Sequence, residues 1–375
     1  MTLPFNRAIY NQREINAVLR VFKTEYLSGY KETAMFENEL AKWWGMKYAV
    51  STNSGSSANF IALQSLNLPK GSEVITPAGG AFPTTINPII YLGYMPVFVD
   101  VSLDNFCLDF KPRINTEKIE AIMFAHTLGN MPDMHNLMVF AKAFNLKVIE
   151  DCADSMGSEQ NGRRAGTFGD LATVSFYPAH LMTTGGEGGA ILTNDYHLYR
   201  KCHSIRDWGR ACFCRYGSPI PACGDRFSNP KFDHRYYYIN IGLNFKLTEM
   251  QAAFGRVQLK RVDGFIEKRK RNYKILQESL GFPKLDEGIV PFAFPFLTKK
   301  KQEVMIHLAK AGIGTRTIFS GNILRHPAYK DLKYKQIGDL RNSERVFNES
   351  VFVGVGPHLT VKDMNYIVKT LKEIL

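Results

Sequence analysis

The chain has 375 residues, 45% hydrophobic and 22% charged, and its 47 Lys+Arg against 35 Asp+Glu leave a formal net charge of +12. That composition excludes a disordered or low-complexity chain and describes a soluble globular protein of one large or two medium domains. No apolar run reaches the roughly 18–20 residues of a membrane span, and the start MTLPFNRAIYNQREI has no basic flank before an apolar core, so neither a membrane partner nor a secretory signal is expected.

From about residue 47 the sequence alternates β-rich runs with helical stretches. Strands are expected at 48–52, 73–76, 96–99, 119–124 and 147–150, with helices at 56–66, 82–91 and 134–144. Strands and helices alternating at this spacing predict an α/β chain with a mostly parallel sheet covered on both faces. Ligands in such sheets bind beyond the carboxyl ends of the strands. A helix from 256 to about 277 then leads to a smaller α/β region ending in the amphipathic segment 361–374. The expected division is a large domain over 1–255 and a small one over 256–375, with the first 25 or so residues folded onto the latter.

The loops after the strands carry the chemistry. Asn53-Ser54-Gly55-Ser56-Ser57-Ala58-Asn59 opens a helix with glycine and small hydroxyl residues. That is either a phosphate cradle of exposed backbone amides or an ordinary serine N-cap. Asp151, at the end of a buried strand, needs a cation or a strong donor to be held there, and a pyridinium nitrogen would serve. The run from Val174 to His180, followed by the glycine-rich stretch 185–189, suggests a reactive side chain presented at a tight turn.

Taken in order, these motifs resemble the fold-type-I pyridoxal-phosphate enzymes of the DegT/DnrJ/EryC1/StrS family, which aminate nucleotide-linked keto-sugars. The resemblance runs from about Ser28 to the C-terminus. It rests on Gly-Ser-Ser-Ala-Asn (55–59), Phe-Pro-Thr-Thr (82–85), His-Thr-Leu-Gly-Asn (126–130), Glu-Asp-Cys-Ala-Asp (150–154), Ser-Phe-Tyr-Pro-Ala-His (175–180) and Asn-Phe-Lys-Leu-Thr-Glu-Met-Gln-Ala-Ala (244–253). It implies an aspartate-aminotransferase-like fold. It also implies that Gly55, Ser56, Ser57 and Ser175 hold the cofactor phosphate, that Phe82 stacks on the ring, and that Asp151 pairs with the ring nitrogen. Asn244 would reach the cofactor of the other subunit in a homodimer with shared sites.

One position departs from the aminotransferases. Five residues after the phosphate-binding serine they carry a lysine that bonds the cofactor; this chain has His180, and no lysine occurs between Lys147 and Lys201. Without that amine ordinary transamination has no route. Histidine there resembles the 3-dehydratase branch of the family, which uses pyridoxamine 5′-phosphate, and an imidazole suits the single base that chemistry needs. Asp154 and Tyr177 fit the same branch, standing where sugar aminotransferases commonly carry histidine.

Six cysteines are too few for a disulfide scaffold and point to a reducing cytoplasm. Cys212, Cys214 and Cys223 resemble the segment by which the CDP-sugar members of that branch bind a [2Fe–2S] cluster, with Cys152 as candidate fourth ligand. In the family pattern the fourth cysteine falls one residue later, where this chain has Ala153, and a one-residue shift reverses side-chain direction on extended chain. Bystander thiols or a zinc site are the other readings of these cysteines.

The excess charge is a solvated surface or suits a diphosphate-bearing ligand. Its densest run, 260–271, mixes acids into a helical pattern, so no nucleic-acid partner is expected. The resemblance therefore implies a C3 dehydratase of a nucleotide-linked 4-keto-6-deoxyhexose such as CDP-4-keto-6-deoxyglucose, served by a flavin or iron–sulfur reductase. The competing readings are a cluster-free enzyme for a GDP-linked sugar and an inactive binding protein on the same fold.

Overall fold

The computed structural model describes residues 2–109, 118–212, 214, 231–281 and 285–375. Its first helix, α1 (Gln12–Phe22), starts at a capping box between Asn11 and Glu14. The next, α2 (Lys31–Trp44), stops where Gly45 turns left-handed at φ 78°. Then come β1 (Tyr48–Thr52), α3 (Gly55–Leu66), β2 (Glu73–Pro77), α4 (Pro83–Tyr91), β3 (Met95–Val99), β4 (Ile119–Ala125), α5 (Met134–Ala143) and β5 (Lys147–Asp151). This is the alternation the sequence predicts, its boundaries met to within one residue.

A short hairpin, β6 (Glu159–Gln160) and β7 (Arg163–Arg164), precedes β8 (Leu171–Ser175), β9 (Gly189–Thr193) and α6 (Tyr196–Arg206). The single helix expected from 256 is two, α7 (Glu249–Leu259) and α8 (Val262–Leu280). The earlier start has a local cause: Thr248 and Gln251 form a capping box. The chain ends with β10 (Ala293–Leu297), α9 (Lys301–Lys310), β11 (Thr315–Arg316), β12 (Lys335–Gln336), α10 (Arg341–Glu349), β13 (Ser350–Gly354) and α11 (Val361–Lys372). Among the described residues no helix is long and apolar enough to cross a membrane.

The chain forms two compact units. One comprises Tyr10–Asn67 and Asp170–Val262. In it β9 lies between β1 and β8, antiparallel to both. Ala17 and Val21 of α1 pack on Ala253 of α7, which seats the N-terminal helix. The other comprises Met1–Ile9, Leu68–Gly169 and Asp263–Leu375. Here β5, β4, β2, β3 and β12 run parallel in that order. Val74, Ile75, Val97, Phe98, Ile122 and Met123 are buried, as expected of strands covered on both faces.

The same unit holds an antiparallel sheet, β10–β13–β11, whose core includes Phe294, Val353, Leu308 and Ile367. This partition cuts across a division at residue 255. The reason is physical: Ile323 and Leu340 pack with Ile86 and Phe98, and β12 pairs with β3.

Candidate active site

In the first unit three chain segments converge where the phosphate cradle is expected. Ser54 caps α3, its Oγ accepting the Ser57 N–H at 3.1 Å. The Ser57 hydroxyl donates to Asn53 Oδ1 at 2.6 Å. Ser57 is therefore committed to the turn itself, while Gly55 and Ser56 stand at the positive end of the helix dipole, where an anion would be favoured. Gly189 pairs with both Thr52 and Ser175. A Cβ on Gly189 would stand 2.4 Å from the Ser54 carbonyl oxygen, and one on Gly55 would stand 2.6 Å from Ser175 Cβ. Only two side-chain-free residues let α3, β8 and β9 close so tightly. This junction offers amides and hydroxyls from Gly55, Ser56 and Ser175, and those donors fit a phosphate.

His180 follows on a turn closed by its N–H to the Tyr177 carbonyl, 2.9 Å. Its ring meets the half-exposed Tyr177 edge-on at 6.3 Å. Asn244 is exposed, and its segment is strapped to the end of α6: Leu243 N–H donates to Ile205, Phe245 N–H to Arg206, and Asn53 N–H to Phe245.

That strap rests on a charge network that reading the sequence missed. Arg206 is buried and donates to Glu37 (2.7 Å), Asp207 (3.0 Å), the Ser51 carbonyl (3.2 Å) and His203 Nε2 (3.0 Å). Glu37 also accepts the Ser51 N–H and hydroxyl. Burial and the Arg206 charge push His203 down to about 3, consistent with an Nε2 that accepts rather than donates. Nearby, Lys246 Nζ sits 3.3 Å from the Trp208 ring centroid, and burial lowers its pKa to about 8.

In the second unit Asp151 ends β5 and is 5% exposed. Thr85 Oγ1 donates to its Oδ2 at 2.8 Å and Ala153 N–H to its Oδ1 at 3.1 Å. Thr85, to which its motif alone assigns no role, lies one turn beyond the α4 N-cap, Phe82, whose ring is 54% exposed and touches Phe319 edge-on. An open aromatic face and a buried carboxylate on one short stretch of fold suit a protonated pyridine ring. Asp154 is buried, accepts the Leu128 N–H at 3.2 Å, and faces the wholly buried Arg269. Burial lowers the pKa of Arg269 to about 10, while the Asp154 charge acts in the opposite direction.

The cysteines divide. Cys212 and Cys214 are half-buried, with the Cys214 N–H donating to Cys212 Sγ at 3.4 Å. Cys223 lies outside the described residues. Cys152 does not fit a cluster ligand: it is wholly buried, its Sγ donates to the Glu150 carbonyl at 3.7 Å, and burial beside Glu150 pushes its thiol well above the ordinary range. Iron binding needs the thiolate, which that setting disfavours.

The chain resembles known proteins along almost its whole length. It is 39% identical to the lipopolysaccharide biosynthesis protein RfbH of Salmonella typhimurium, covering 99% of this chain and 91% of that one. It is 41% identical to the dTDP-4-dehydro-2,6-dideoxy-D-glucose 3-dehydratase of Saccharopolyspora spinosa, over 91% and 79%. The solved E. coli GDP-4-keto-6-deoxy-D-mannose-3-dehydratase with bound hydrated PLP superposes with a TM-score of 0.89 at 27% identity, covering 99% of both chains. The expected aspartate-aminotransferase-like fold of type I is thereby met. Residues 9–372 match the model of the DegT/DnrJ/EryC1/StrS aminotransferase family, and the chain belongs to that family.

Proposed function

We propose that the chain is a pyridoxamine-5′-phosphate-dependent C3 dehydratase of a nucleotide-linked 4-keto-6-deoxyhexose. The observation that carries this reading is His180 at the fifth position after Ser175, beside an intact cradle and with no lysine between Lys147 and Lys201. The two named dehydratases among the relatives support it. When bound, the cofactor supplies the amine for the C4 ketone and a ring that accepts an electron pair.

The chain's own residues do the rest. Gly55, Ser56 and Ser175 anchor the phosphate, with Ser57 shaping their turn. Asp151, aligned by Thr85, holds the ring nitrogen protonated, and Phe82 covers the ring face. His180 would serve as the base that removes a proton at C4′ of the bound cofactor while hydroxide departs from C3 of the sugar. Asp154 and Tyr177 offer no amine to the cofactor, and Asn244 completes the neighbour's site in a cytoplasmic homodimer.

The test is anaerobic incubation with pyridoxamine phosphate and CDP-4-keto-6-deoxyglucose, with dTDP- and GDP-linked keto-sugars in parallel, read as loss of water by mass spectrometry. Dehydration by wild type and its loss in His180→Asn support the reading; dehydration by His180→Asn at the wild-type rate refutes it. The paired Cys212 and Cys214 favour a coupled proposal, a [2Fe–2S] centre in the segment that also holds Cys223, fed by a reductase. Iron with matching acid-labile sulfide in anaerobically purified protein supports it; their absence selects the cluster-free route. An active monomer by light scattering would overturn the shared site.

A further inference from the structure

Glu150 and Asp151 are neighbours on β5, so their side chains leave opposite faces of the sheet. The Glu150 carboxylate is wholly buried and saturated with donors. Its Oε1 accepts the Phe168 and Gly169 N–H groups at 2.8 and 2.7 Å. Its Oε2 accepts the Gly166 N–H and His126 Nε2–H, each at 2.8 Å. His126 is also wholly buried, and its backbone N–H donates to the Asp151 carbonyl at 3.0 Å. One residue thus holds the Glu150 carboxylate and the Asp151 backbone, and its Nδ1 has no hydrogen-bond partner among the described residues.

His126, Glu150 and Cys152 bring ligand-type atoms within 4.8 Å of one another. They make a poor cation site, because donors already fill the Glu150 acceptor positions and the Cys152 thiol is held protonated. A buried carboxylate is costly unless fully paired, and an apolar side chain would brace the core as well. Its effect is on orientation. Two adjacent carboxylates can in principle trade faces, and a strand that slips or rotates by one residue exchanges them. Four N–H donors aimed at the Glu150 carboxylate fix it on its own face, and with it the face on which Asp151 stands.

We propose that Glu150 and His126 are positioning residues for Asp151, fixing the direction in which its carboxylate meets the cofactor ring nitrogen. The inference rests on the cofactor reading of the site given above.

The experiment is a double-mutant cycle on full-length, cofactor-stripped protein titrated with pyridoxal phosphate, reading the dissociation constant and the absorption band of the bound cofactor. Glu150→Gln should weaken binding about tenfold or more, and its bound-cofactor band should move towards that of Asp151→Asn. In the Asp151→Asn background the same change should add less than threefold. Equal fold-losses in both backgrounds would make Glu150 merely structural and overturn the proposal. If Asp151→Asn itself leaves binding and band unchanged, the cofactor reading falls and the proposal with it. Should Glu150→Gln not fold, His126→Phe removes only one of the four donors and should still move the band, with His126→Gln restoring it in part; no change in His126→Phe overturns the proposal equally.

Discussion

Substituting Gly55 by alanine tests the cradle directly. The added Cβ would stand 2.6 Å from Ser175 Cβ and 3.0 Å from its Oγ, where carbon contacts are ordinarily about 3.5–4.0 Å. Ser175, at the end of β8, must retreat by roughly 1 Å. Overpacking of this kind costs about 1–3 kcal/mol, offset by up to ~1 kcal/mol that alanine gains over glycine in a helix. The net loss of stability is therefore small, about 0–2 kcal/mol. Cofactor affinity suffers more, because a lost hydrogen bond to a charged phosphate is worth ~1.5–3 kcal/mol. At tenfold per 1.4 kcal/mol, the dissociation constant of pyridoxal phosphate should rise roughly 10- to 100-fold. Calorimetric titration of cofactor-stripped protein measures this, with a thermal melt to confirm folding. Gly264→Ala is the control: it sits in α8 with nothing within 4 Å of the added Cβ, and should leave affinity unchanged while raising the melting temperature. A folded Gly55→Ala that binds within threefold of wild type refutes the cradle.

His180→Lys should place an amine beside the cofactor aldehyde. The variant should turn yellow with pyridoxal phosphate and keep the cofactor through borohydride reduction and denaturation, whereas wild type releases it. Cofactor trapped on the wild-type chain would mean that another lysine reaches the site. His203 predicts a pH dependence of stability. Its folded pKa is depressed to about 3, so the unfolded chain takes up a proton first as pH falls below about 6.5. The stabilisation is present above that value and is lost between about 6.5 and 3; at pH 4.5 roughly 2–3 kcal/mol should be gone. Denaturant midpoints at pH 7 and 4.5 should diverge by that amount more for wild type than for His203→Gln. Equal divergence would place the proton elsewhere; the Asp207 carboxylate is held below its ordinary range by Arg206 against its burial.

The alternation of strands and helices, the glycine-bearing turns after β1 and before β9, and the replacement of a lysine by His180 five residues after Ser175 were all legible in the sequence. Each depends on near neighbours in the chain: helix capping, side-chain periodicity and the spacing of one motif. What the tertiary structure alone decided lies between residues far apart. Thr85 aligns Asp151 across 66 positions and Arg206 meets Glu37 across 169; nothing local marks either pair, since a charged residue on a helix reads as solvent-facing until packing buries it. Glycine at 55 looks in the sequence like part of a helix start, yet the reason for it is Ser175 on β8. Cys152 carried the right chemistry for a ligand and lost it to burial beside Glu150. Local order writes the motifs, but which of their atoms remain available for chemistry depends on the packing around them, because desolvation and non-local hydrogen bonds are properties of the folded chain.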